Sequence, residues 1–213
     1  MNTGDVVSTK MEQIAINAKR HPAVSFTSLA YHINQEWLYE AYKETRKDGA
    51  VGIDQVTADE YSKELKSNLE NLLDKMKTGK YKAPPVKRVY IPKDGTKEKR
   101  PLGIPTFEDK VLQKAVKWVI DPLFEEDFYE CSYGFRPDRS QHDALSALWK
   151  GMMNMGGGWE IDLDIRKFFD TIRWNILDGV IKRRVRDGVI IRLIGKWMND
   201  GESGWKEDRE KGI

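Results

Sequence analysis

Between Trp159 and Ile165 the chain alternates strictly: Ile161, Leu163 and Ile165 interleave with Glu160, Asp162 and Asp164. Successive side chains of a strand point to opposite faces, so this spacing predicts a short strand with one oily face and one acidic face. Acids crowded on one face repel each other unless a cation sits among them, and a divalent metal bound by carboxylate oxygens is one such cation. A half-buried strand with its polar face in water is the other reading. Two aromatic rings, Phe168 and Phe169, follow at once and lead to Asp170.

The remaining periodicities are mostly helical. The stretch to about Ser28 reads as a loose N-terminal helix and linker. Ile33, Trp37, Leu38 and Ala41 predict one helix over 29–45. A glycine-punctuated loop, 48–54, follows. Thr57 and Glu60 form a capping box ahead of a stripe of Tyr61, Leu65, Leu69, Leu72 and Met76, which Gly79 ends. Pro84-Pro85 resets the chain to extended structure. Strands are expected at 86–91 and 100–104, joined around Asp94-Gly95. Thr106 caps the next helix, with Val111, Leu112, Ala115, Val116, Val119 and Ile120 as its buried side and a break or kink at Pro122. Ser140 caps another, carrying Ala144, Leu145, Leu148 and Trp149. Gly156-Gly157-Gly158 forms a hinge into the acidic segment, and 174–200 reads as helical.

Charge matters here through its distribution. The 213 residues carry a formal net charge of only +2, yet 77–100 holds nine lysines and arginines against Asp94 and Glu98. Such a local excess suits a polyanion, although exposed lysines are often merely solvated. The single cysteine, Cys131, excludes an intrachain disulfide, and the polar start has no apolar leader. No run approaches the length of a membrane span. A cytoplasmic protein is expected. His21, His32 and His142 are too scattered for a zinc site.

Three blocks, in order, resemble the reverse transcriptases encoded by group II introns. The first is Val-Lys-Arg-Val-Tyr-Ile-Pro-Lys at 86–93 with Arg-Pro-Leu-Gly-Ile-Pro-Thr at 100–106. The second is Cys-Ser-Tyr-Gly-Phe-Arg-Pro at 131–137. The third joins Asp164-Ile165 to Phe168-Phe169-Asp170. The loop Gly-Ala-Val-Gly-Ile-Asp at 49–54 is similar to a block that the family carries ahead of its fingers. The resemblance implies an α+β, helix-rich fold: right-hand polymerase fingers with a partial palm. Its division would be an N-terminal helical extension over 1–45, fingers over 46–155 and the start of the palm over 156–213.

The resemblance also implies roles. Asp164, with the backbone carbonyl of Ile165, would be the first palm ligand for Mg²⁺, and Asp162 would be secondary. Lys93 and Arg100 would grip the triphosphate of an incoming dNTP, a point charge and a fork suited to phosphate oxygens. Phe169 would exclude a ribose 2′-hydroxyl, or else belong to the core. Lys87, Arg88 and Arg136 would contact nucleic acid. Lys87 and Arg88 face opposite ways in a regular strand, and Arg136 could instead bond a local carboxylate. Lys182, Arg183, Arg184 and Arg186 are either a second phosphate contact or a solvated helix face. Trp174 stands near where the family often has histidine. Expected partners are template RNA, primer, dNTPs and structured intron RNA, with no membrane.

No Asp-Asp dipeptide occurs in the sequence. The Pro-Gln-Gly block and the Tyr-Ala-Asp-Asp hairpin that relatives carry next are also missing. The expectation is therefore a catalytically incomplete piece of an RNA-directed DNA polymerase. A non-catalytic, maturase-like RNA-binding module is the alternative, as is a reverse transcriptase of a related retroelement or defence system. An unrelated phosphotransferase built on Asp162 and Asp164 would need further acids at metal-ligand spacing.

Overall fold

A computed structural model describes residues 3–92, 95, 99–156, 158–166 and 168–210, with Thr3, Phe169, Asp170 and 200–210 described by backbone alone. The elements run α1 (Thr3–Arg20), a 3₁₀ turn (Leu29–His32), α2 (Gln35–Glu44), α3 (Ala58–Lys63), α4 (Leu65–Lys77), β1 (Lys87–Pro92) and β2 (Lys99–Ile104). They continue with α5 (Phe107–Glu125), α6 (Gln141–Met155), α7 (Phe168–Thr171), α8 (Trp174–Lys182) and α9 (Gly188–Glu210). The α+β, helix-rich expectation holds: the sheet among the described residues is one antiparallel pair, β1 with β2.

The core lies where α1, α2, α4, α5 and the first turns of α9 meet. Trp37, Leu38, Leu72, Met76, Leu112, Val119 and Ile190 are all fully buried there. Each is the inward stripe of its helix, and burying such a side chain contributes roughly 1.5–3 kcal/mol. Trp37 keeps its ring nitrogen satisfied by donating to the Ala115 carbonyl at 3.0 Å, tying α2 to α5.

Caps set the boundaries. Thr57 and Glu60 make the reciprocal box expected of them, and Ser140 with Asp143 makes a second. The expected single helix over 29–45 divides, because Asn34 adopts extended backbone and accepts from the Trp37 amide at 2.9 Å, starting α2 afresh. The long stripe from Tyr61 to Met76 likewise breaks at Glu64, where the backbone leaves the helical region. The expected break at Pro122 does not occur. The helix continues to Glu125, since a proline this close to the end leaves only the Trp118 carbonyl without its intrahelical donor. Gly79, at φ +77°, closes α4 as expected. Gly52 answers to space instead. A Cβ there would come within 2.6 Å of the Thr106 backbone, so this glycine lets the 48–54 loop lie against the start of α5.

The largest departure is the acidic segment. Residues 158–165 form no strand, and all of them are exposed, Trp159 and Leu163 at 100% and 86%. A strand exists by virtue of a partner for its amides and carbonyls, and no described strand lies beside this one. The apolar residues of α6 are in the same position: none is buried, with Leu145, Trp149 and Met153 each more than 60% exposed.

Candidate nucleic-acid interface

The hairpin of β1 and β2 stands away from the helical core, and every β2 residue before Ile104 is exposed. Its register fixes two faces. Lys87, Val89 and Ile91 lie opposite Ile104, Leu102 and Arg100, so these six share one face. Arg88, Tyr90 and Pro92 lie opposite Gly103, Pro101 and Lys99 and share the other. Lys87 and Arg88 therefore do point to opposite sides. The described residues of the two strands carry four cations and no carboxylate. Lys99 and Arg100 are exposed while Lys87 and Arg88 are half-buried, and exposed cations of this kind suit contact with phosphates. Lys93 and Lys97 lie outside the described residues.

The base of the hairpin is held rigidly. Asp109, 2% exposed, accepts the Tyr81 hydroxyl, the Trp197 ring N–H at 2.7 Å and the Gln113 amide at 3.0 Å. Lys196 donates to the carbonyls of Gly79 (2.9 Å) and Tyr81. Burial and the Asp109 carboxylate push the Tyr81 hydroxyl well above the ordinary tyrosine range, so it remains a donor at neutral pH. Glu108 beside it, hydrogen-bonded by Tyr61 at 3.3 Å, is also raised, by burial first. One buried carboxylate thus joins the segment entering β1, the helix leaving β2 and α9. Sequence reasoning missed this. The only signal was an acid at the third position of a capped helix, which reads first as a dipole contact.

Arg136 takes the local role. Its side chain is 4% exposed and grips Glu125 through Nε at 2.9 Å and Nη2 at 2.6 Å, while Nη1 donates to the carbonyls of Tyr129 and Ser132 at 2.8 Å. The guanidinium organises the 129–136 turn, leaving Phe135 outside it at φ +60° and fully exposed. Arg184 corrects the reading of the 182–186 cluster. It is neither a phosphate contact nor part of a solvated face. It is 3% exposed, lies 3.2 Å from Asp127, and donates to the carbonyls of Ala18, His21, Pro22 and Val24. Asp187 supports the same junction, accepting the amides of Ala30 (2.9 Å), Val189 (2.8 Å) and Ile190 (3.1 Å). An aspartate one residue before a glycine and an apolar run was a legible cap; its grip on Ala30 was not.

Asp162 and Asp164 lie in the exposed segment, with Ile165 64% exposed beside them. Among the described residues no group of three or more His, Cys, Asp or Glu side chains comes together. Divalent hard cations take six or more oxygen ligands, so these residues do not by themselves fit such an ion. Phe169 falls in α7, its side chain outside the described residues; Phe168 is 47% exposed. No described helix is long and apolar enough to cross a membrane.

The family described as reverse transcriptase (RNA-dependent DNA polymerase) matches residues 91–211, from the end of β1 through α9. The chain belongs to the reverse transcriptase family. Its relatives include a group II intron-encoded protein and an intron maturase. It is 35% identical over 196 residues to the group II intron-encoded protein LtrA of Lactococcus lactis subsp. cremoris, covering 90% of this chain and 32% of that protein. Protein YkfC of Escherichia coli (strain K12) is 34% identical over 203 residues, 92% of this chain and 53% of that one. Nuclear intron maturase 2, mitochondrial, of Arabidopsis thaliana is 29% identical over 88 residues, 41% of this chain and 12% of that one. The chain thus spans about half, or less, of the length of these relatives. The family is one of RNA-dependent DNA polymerases, a class that works with divalent metal ions. This chain's 48–54 loop, its hairpin, the turn between α5 and α6, and the acidic segment with α7 hold the blocks of the family resemblance.

Proposed function

We propose that this chain supplies the fingers and the first palm segment of a group II intron reverse transcriptase, with 1–45 as an N-terminal extension, 46–155 as fingers and 156–213 as the start of the palm. The observation that carries this reading is the basic hairpin on its hydrogen-bonded base, whose described strand residues carry four cations and no carboxylate, in a chain of this family. Lys87 and Arg88 would contact template RNA or primer, while Lys93 and Arg100 would hold the dNTP triphosphate. Arg136 would serve the template indirectly, by fixing the 129–136 turn. Phe169 would select the sugar. Asp164, with the carbonyl of Ile165, would contribute one ligand set toward Mg²⁺, its remaining ligands coming from carboxylates other than those described. Holding and orienting the nucleic acid is what the described residues can do on their own.

A second reading, an intron-RNA-binding, maturase-like module without polymerisation, is favoured by one observation: among the described residues Asp164 belongs to no group of three or more side chains that could hold a metal ion. Two measurements separate the readings. The 213-residue chain should bind structured RNA with affinity that falls steeply with salt, each phosphate contact adding roughly 0.7–0.9 to the slope of log affinity against log salt. In a longer protein carrying this segment together with a second carboxylate motif, Asp164→Ala should abolish primer extension and leave RNA affinity unchanged. Extension surviving that substitution removes Asp164 from the reaction; salt-insensitive RNA binding removes the hairpin.

A further inference from the structure

Arg100 lies on one face of the hairpin, and the opposite face has no part in the reading above beyond Arg88. That face presents Tyr90, half exposed at 50%, directly across from Pro101. Gly103, across from Arg88, adds no side chain to it, and Pro92 lies beside Lys99. The result is a patch of one aromatic ring and two proline rings, with Val86 packed over Gly103 at its Arg88 end, 3.1 Å from where a Cβ would stand. Cations stand at both ends, half-buried Arg88 and exposed Lys99, each two residues or about 7 Å along the strands from the Tyr90–Pro101 pair.

An exposed ring between two cations is the arrangement by which proteins hold unpaired nucleotides, the ring taking the base and the cations the neighbouring phosphates. We propose that the Tyr90 face is a stacking subsite for an unpaired base of single-stranded RNA, on the side of the hairpin away from Arg100. The two faces then divide the work. The Arg100 face meets the reacting nucleotide, and the Tyr90 face seats a nucleotide that is not reacting. This rests on the reading of the hairpin as a nucleic-acid interface. It adds that recognition there is through the base as well as the backbone. Stacking of this kind tolerates any base, so little sequence preference is expected.

The test uses the whole 213-residue chain and a labelled single-stranded RNA with no stable structure, its affinity followed over a salt series. Tyr90→Ala should weaken binding roughly 5- to 150-fold, the range found for one base stacked on an aromatic side chain. Tyr90→Phe and Tyr90→Trp should stay within about two-fold of the parent, because the ring, not the hydroxyl, is what the base meets. The salt slope should be the same in Tyr90→Ala as in the parent, since no phosphate contact is lost, whereas Lys99→Ala should lower it by roughly 0.7. An RNA of the same length made abasic throughout should bind parent and Tyr90→Ala equally. Salt-dependent binding by the parent with no loss in Tyr90→Ala overturns the stacking subsite and leaves the basic-hairpin reading standing. Absence of RNA binding by the parent overturns both. A Tyr90→Ala protein that loses self-association instead, with unchanged RNA affinity, makes this face a protein contact and overturns the proposal.

Discussion

Truncating Arg136 to alanine would take donors from Glu125 and from the carbonyls of Tyr129 and Ser132 at once, and would remove a cation lying 5.2 Å from the Phe128 ring centre. Removing one partner of a buried pair strands the other. Glu125 is a third exposed, which softens the loss, so destabilisation of about 2–4 kcal/mol is expected on chemical denaturation. Arg136→Lys should recover less than half, because an ammonium cannot reproduce the fork. If Arg136→Ala unfolds like the parent but binds RNA more weakly, the arginine acts on nucleic acid rather than on the turn. The sequence left both roles open. Which one a guanidinium takes depends on what lies within about 3 Å of it, and Glu125 sits eleven residues away, across a turn whose shape the sequence does not announce. Lys87 and Arg88 were easier, because strand parity alone assigns them to opposite faces.

Helix ends were the most legible elements, since a cap is a contact between residues two or three apart. Ser140→Ala and Thr57→Ala should each cost about 1 kcal/mol, measured by thermal or chemical unfolding. Both boxes also carry a pH dependence. The Ser140 hydroxyl and amide hold the Asp143 carboxyl below its ordinary range, and the Thr57 amide and hydroxyl do the same for Glu60. A folded pKa below the unfolded one gives stability that is present above the unfolded carboxylate range and lost as pH falls through the folded value. Helicity of α3 and α6 should therefore fall below about pH 4, as backbone amide signals at 57–60 and 140–143 would report, and Asp143→Asn should remove that step for α6. Strands were less legible. The hairpin strands came within a residue or two of their observed ends, because both partners lie near each other in sequence. The acidic alternation at 159–165 was a correct reading of period two and still yields no strand, because period two describes a face and pairing requires a neighbour.

On the scale of the whole molecule, one well-packed body of helices carries two poorly covered features, the basic hairpin and the apolar stretch from α6 to Ile165. Leu145, Leu148, Trp149, Trp159, Ile161 and Leu163 are all between 47% and 100% exposed. Exposed apolar side chains in such number promote association. The chain should self-associate with rising concentration in sedimentation experiments, and Trp149→Glu together with Leu163→Glu should suppress this with stability changed by no more than about 0.5 kcal/mol. Unchanged association in that double variant would place the sticky surface elsewhere. The packed body has its own peculiarity. Arg184 closes the turn at 18–24, and Phe26 exchanges backbone bonds with Arg184 and Arg186, partners some 160 residues apart. At a synthesis rate of roughly 5–20 residues per second, the turn after α1 waits on the order of ten to thirty seconds for the arginine that fastens it. During that interval the turn after α1 is available to proteases, to chaperones and to the RNA from which it is being translated.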